Sequence, residues 1–286
     1  MISISFVGCY GKGPSDDSRP SSDPAAALGE RIAAFTAALR EDAPYRPPTP
    51  QQRRAFTEAF TALGPTPVAG DDDLRSLGFT VRRTVDEKTG RPYAVAVADA
   101  DAERGWGLYV VDLSRPVRVA VQVPHPANDL RTTEIGLDLF RRVPGAVLSV
   151  AGTHRRVAAG AGDAAHRTDS LFHAAAERHS RDRVPQVQLH GFDDDSLPSA
   201  DLVLSPGAAR EDPSITRVAD ELEGLLRVCR AWARDCGDLE GRRNRQGVVA
   251  AQHDAFFAHV ELNRTTRDSP DKWEPVVRAL GKALAD

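Results

Sequence analysis

From residue 117 onward, short runs suited to strands alternate with longer runs suited to helices, and no other feature constrains the fold as much. The strand-like runs are VRVAVQVP (117–124), AVLSVAGTHRR (146–156), PQVQLHGF (185–192) and DAFFAHVELNR (254–264). Between and after them lie TTEIGLDLFRRVPG (132–145), SLFHAAAERHS (170–180), TRVADELEGLLRVCRAWARDC (216–236) and DKWEPVVRALGKALAD (271–286), whose apolar residues recur at helical spacing. Such alternation predicts an α/β protein with a mixed or mostly parallel central sheet flanked by helices. The helix at 132–145 takes Thr132 or Thr133 as N-cap and stops at Gly145.

The chain before residue 117 has a different pattern. Residues 10–25 are rich in Pro, Ser, Asp and Gly and read as a linker. Leu28, Ile32, Phe35 and Leu39 share one helical face, PYRPPTP breaks the chain, and a second helix runs from Pro50 to Gly64. Residues 1–65 therefore read as a flexible and helical N-terminal extension, and 66–286 as the α/β catalytic domain. Residues 77–112 alternate apolar and polar positions around turn signals at 88–90 and 103–105, predicting a β-hairpin element.

Composition excludes several classes. A formal net charge of −4 gives no basic field for nucleic acid or anionic membrane, and Arg is interspersed with Asp and Glu. No apolar run approaches the ~20 residues of a membrane span. The N-terminus lacks a basic n-region and a full h-region, so a cytoplasmic chain and a secreted one with its leader already removed both fit. The three cysteines, Cys9, Cys229 and Cys236, do not make a disulfide scaffold. On a continuous helix Cys229 and Cys236 would sit about 10 Å apart, too far to bridge. Two buried thiols are expected unless the helix breaks between them.

In open α/β sheets ligands bind beyond the carboxyl ends of the strands. The first of these strands delivers His125, with Asp129 and Glu134 close behind. The second delivers His154, Arg155 and Arg156. The third delivers His190, then Gly191 and the acidic run Asp193–Asp195. The last carries His259, Glu261 and Asn263 on one face, followed by Arg264 and Arg267. Imidazoles and a carboxylate as ligands, with a further carboxylate as base, are the composition of a mononuclear zinc site. Arginines nearby suit a substrate carboxylate through bidentate pairing. Asp163, His166, Asp169 and His173 have spacing for a second cluster. The simpler reading is that His166 or Ser170 lines the substrate pocket and that Asp169 or Ser170 caps the next helix.

The segment from about 117 to 267 resembles the zinc amidohydrolases related to N-formylglutamate amidohydrolase, within the wider zinc-carboxypeptidase-like group. The resemblance rests on the order of Pro124–His125 after a core strand, Glu134 opening the next helix, THRR at 153–156, VQLHGF with His190, and HVELNR with Glu261. It implies a phosphorylase/hydrolase-like α/β fold and one Zn²⁺ per chain held by His125, Glu134 and His190. It also implies Glu261 as general base and then proton donor. Carboxypeptidases place the acidic ligand in an HxxE motif. Here Asp129, four residues after His125, competes with Glu134, nine residues after it, and the formylglutamate-type arrangement favours Glu134.

The expected activity is zinc-dependent hydrolysis of an amide bond in a small acyl-amino acid or peptide end bearing a carboxylate. Glu261 and Arg155 are the catalytic candidates, and Arg156, His166, Ser170 and Arg264 the substrate-binding ones. No nucleic-acid or membrane partner is expected. No GxSxG, GxxxxGK[ST] or GxGxxG motif supports serine catalysis or nucleotide binding. The competing readings are a metal-free binding module for an anionic ligand and a metal-dependent phosphoesterase using the acidic run at 193–195.

Overall fold

Alternation decides the architecture and also the polarity of its two faces. The computed structural model describes residues 27–65, 69–98 and 103–285. Cys9, the segment 10–25 and the N-terminal apolar residues lie outside them. The strands are β1 (Phe79–Val85), β2 (Pro92–Ala98), β3 (Leu108–Asp112), β4 (Val119–Val123), β5 (Ala146–Val150), β6 (Gln186–Phe192), β7 (Leu202–Ser205), β8 (Val228–Arg230) and β9 (Phe257–Asn263). The helices are α1 (Leu28–Ala37), α2 (Pro50–Thr61), α3 (Ala69–Ser76), α4 (Thr132–Arg142), the single turn α5 (Val157–Gly160), α6 (Leu171–Arg181), α7 (Pro213–Leu222), α8 (Arg245–Gln252), the short α9 (Arg264–Arg267) and α10 (Pro270–Ala285).

Among the described residues the strands form one mixed nine-stranded sheet in the order β1-β2-β3-β5-β4-β6-β9-β7-β8. The central block β5-β4-β6-β9 is parallel, and β7 runs antiparallel to β9. The antiparallel strands β1, β2 and β3 extend one side, as the hairpin-like sequence at 77–112 predicts. The connection after β4 leads to β5 on one side, and the chain then crosses to β6 on the other. β4 and β6 therefore flank the switch point at which α/β sheets leave a crevice.

The two faces differ in chemistry. Val119, Val121 and Val123 of β4, Val187 and Leu189 of β6, and Ala258, Val260 and Leu262 of β9 join one apolar cluster with residues of α1, α4, α7 and α10. The opposite face carries Gln122, then Gln186, Gln188 and His190, then His259, Glu261 and Asn263, all buried. Towards the hairpin side that face turns apolar, with Phe56 and Phe60 of α2 packed on Phe79 and Tyr109.

Three local expectations need correction, and three elements had no reading in the sequence. The helix expected over 216–236 ends at Leu222; Gly224 takes a positive φ of 84°, and the chain then forms β8. That break lets Cys229 and Cys236 approach to a Cα separation of 6.1 Å, and they form a disulfide rather than two thiols. Neither Thr132 nor Thr133 caps α4. Arg131 holds that position in the left-handed conformation, and Thr132 Oγ donates to the Asp129 carbonyl. Finally, α3, β7 and α8 carry no signal strong enough to be read from AGDDDLRS, LVLS and RQGVVAAQ.

Candidate metal centre

Three parallel strands bring the centre together at their carboxyl ends. β4 ends at Val123, the chain turns away at Pro124–His125, and the His125 carbonyl accepts from the N–H groups of both Asn128 and Asp129. This single helical turn stacks the side chain of Asp129 over that of His125. β6 presents His190, and the parallel register places Glu261 of β9 directly beside it. His125, Asp129 and His190 are buried, and their candidate ligand atoms lie within 4.8 Å of one another. Asp129 Oδ2 lies 3.3 Å from His125 Nδ1 and 3.4 Å from His190 Nδ1. Glu261 Oε1 lies 4.0 Å from His190 Nδ1 and 3.4 Å from His259 Nε2. Its Oε2 is buried with no hydrogen-bond partner among the described residues.

The other imidazole nitrogens are committed to acceptors. His125 Nε2 lies 2.8 Å from Asp163 Oδ1, and His190 Nε2 lies 2.7 Å from Gln188 Oε1. Burial, reinforced by neighbouring His259, pushes the His190 pKa down to about 4, so the ring is neutral at neutral pH. Burial also opposes charge on His125, but hydrogen bonds to Asp129 and Asp163 push its pKa up. Burial would raise the carboxyls of Asp129 and Asp163, yet their histidine partners hold both far below the usual carboxylate range.

The predicted site residues divide into two groups. His125, His190 and Glu261 converge. Arg155 and His166 stand one step out, 3.3 Å and 3.1 Å from Asp163 Oδ2, on the carboxylate that His125 also engages. Glu134 does not converge. Its side chain is 51% exposed and pairs with Arg131 and Thr133, because the start of α4 turns it away from β6. Asp129 occupies the place expected for it. Arg264 is paired with Asp268 on the surface, and Arg156 is 72% exposed near Glu41. Ser170 caps α6 by accepting from the His173 N–H. Asp163 and His166 do not form a second cluster with His173, which is buried against Gln246.

Sequence reading missed two supports. Arg267 is buried and donates to the carbonyls of Leu262, Phe192 and Leu130, tying β9, β6 and the loop after β4 together. It therefore braces the site and is not free for a substrate. Gly191 makes room for it, since a Cβ there would meet Arg267 Nε at 2.3 Å. The buried glutamines beneath His190 are the second support. Their signal was the alternation in VQV and QVQLH.

No family model matches this chain, and no curated protein matches it. Among solved structures it is similar to a bacteriophage poly-gamma-glutamate hydrolase, at 14% identity over 66% of this chain and 93% of that one, with a TM-score of 0.43. A gene product of Agrobacterium tumefaciens is similar at 14% identity over 74% and 98% of the two chains, with a TM-score of 0.43. An aspartoacylase family protein from Mesorhizobium loti is similar at 13% identity over 71% and 67%, with a TM-score of 0.37.

Proposed function

We propose that the chain is a zinc-dependent hydrolase that cleaves an amide bond in a small acyl-amino acid or peptide end bearing a carboxylate. One observation carries this reading. A neutral His190 whose Nε2 hydrogen is given to Gln188 has only a lone pair on Nδ1, and that lone pair faces the Asp129 carboxylate at 3.4 Å. Two electron-rich atoms held together in a buried site call for a cation between them. A proton on His125 can satisfy that residue's own contact with Asp129, but none is available for His190. Two imidazoles and one carboxylate form a ligand set that suits Zn²⁺ and leaves an open coordination position.

The residues present fit the ion, with His125, Asp129 and His190 as its holders. A zinc ion bound there supplies Lewis acidity to a water and to a carbonyl oxygen. Glu261, whose Oε2 has no hydrogen-bond partner among the described residues, would take a proton there and return it to the departing amine. Asp163 fixes the His125 ring from behind, as outer carboxylates do for metal-ligating histidines. Arg155, on the open side of Asp163, can pair with the substrate carboxylate. His166 lies beside it.

A screen of N-acyl amino acids and short peptides with the zinc-loaded protein tests this function. Hydrolysis that stops on chelation and returns with zinc is the expected result. No turnover of any amide substrate by protein shown to carry zinc would overturn the amide assignment.

A further inference from the structure

The buried glutamines under the metal centre form a hydrogen-bond chain whose sense is fixed from its far ends. Ser180 Oγ donates to the Ala176 carbonyl, an atom that can only accept. Ser180 therefore receives from Gln186 Nε2 at 2.8 Å, which leaves Gln186 Oε1 to accept from Gln122 Nε2 at 2.5 Å. Gln122 Oε1 then accepts from Gln188 Nε2 at 2.8 Å. Two more anchors impose the same orientation on Gln188. Asn244 Oδ1 caps α8 by accepting from the N–H groups of Gln246 and Gly247, so its Nδ2 donates to Gln188 Oε1. Gln246 Nε2 donates to the Ala164 carbonyl, so Gln246 Oε1 accepts from Gln188 Nε2 at 3.2 Å. Three routes that start from backbone groups agree: Gln188 presents its oxygen to His190.

We propose that Gln188 is a positioning residue that locks His190 in the Nε2–H tautomer, so that Nδ1 faces the metal position as a lone pair before any ion arrives. The inference rests on the metal-site reading and adds the element that prepares it. An imidazole free to choose its tautomer would put a hydrogen on Nδ1 for part of the time, donating to Asp129. That hydrogen would have to leave before an ion could bind. Gln188, oriented by three independent routes, removes this competing state. Gln188 is buried, so water cannot replace its contact with His190.

The test uses imidazole nitrogen NMR on the full chain without metal, together with zinc affinity from chelator competition. In the wild type at neutral pH, His190 should show a protonated Nε2 and a bare Nδ1. Gln188→Leu should abolish that signature and weaken zinc binding by about 10–100-fold, the usual effect of losing an outer partner of a ligating histidine. Gln122→Leu breaks the chain at a comparable buried site but leaves Asn244 and Gln246 to orient Gln188, so it controls for general damage and should change little. A hydrogen on His190 Nδ1 in wild-type protein that binds zinc would overturn the proposal, as would equal losses in Gln188→Leu and Gln122→Leu. A wild-type protein with the Nε2–H signature but no zinc affinity would overturn the metal-site reading, and with it the purpose assigned to the lock.

Discussion

At the scale of single residues the account turns on which carboxylate lies between the two histidines. Asp129 reaches both imidazoles, whereas Glu134 faces solvent beside Arg131. Asp129→Asn should therefore weaken zinc binding by at least about tenfold, and Glu134→Gln should leave it unchanged, as measured by competition with a chelator. The opposite pattern would restore the assignment made from family resemblance. Glu261→Gln should retain zinc and lose about 10²–10⁴-fold in turnover, the usual contribution of a general base. Normal turnover in that variant would remove Glu261 from the mechanism. His125, His190 and Glu261 were legible because each stands at a strand end where a core residue would be apolar. The choice of Asp129 was not, because it depends on a single turn closing back on the His125 carbonyl, which HPAND does not advertise.

At the scale of elements, two segments carry separate predictions. α6 buries His179 against Phe60, its Nε2 has no partner among the described residues, and burial lowers its pKa from 6.5 to about 4. The unfolded chain then binds more protons than the folded one between these values, so stability is full above about pH 6.5 and falls as pH drops towards 4. His179→Leu in the metal-free protein should flatten that part of the profile, measured as urea midpoint against pH. An unchanged profile would show that other groups set the acid limb. The second segment is the disulfide loop from β8 to Cys236, which leads to Gly241 packed against the His259 ring. Closing so short a loop is worth roughly 2–3 kcal/mol in the chain-entropy model, so Cys229→Ser should lower stability by about that amount. The helix-to-strand break at Gly224 that makes this bridge was present in the sequence, but LLRVCRAWA continues helical spacing beyond it. Only β9 pairing with β7, and β7 with β8, decides the matter.

At the scale of the whole molecule, the mixed sheet was legible because strand-like and helical patterns alternate clearly from β4 to β6 and again at β9 and α10. The strand order was not, since nothing local in LVLS announces an antiparallel insertion beside β9. That order lets one buried guanidinium, Arg267, fasten the ends of β6 and β9 to the loop carrying His125 and Asp129. Arg267→Ala would leave buried carbonyls without donors, at about 1–3 kcal/mol each. It should lower both the melting temperature and zinc affinity, while the surface variant Arg264→Ala should change neither. The measurement that bears most directly on the whole account is the zinc content of the purified, zinc-equilibrated protein by mass spectrometry, beside the His125→Ala variant. A single zinc per wild-type chain, absent from the variant, is the predicted result. A wild-type chain that holds no zinc, or a variant that holds as much, would contradict the site.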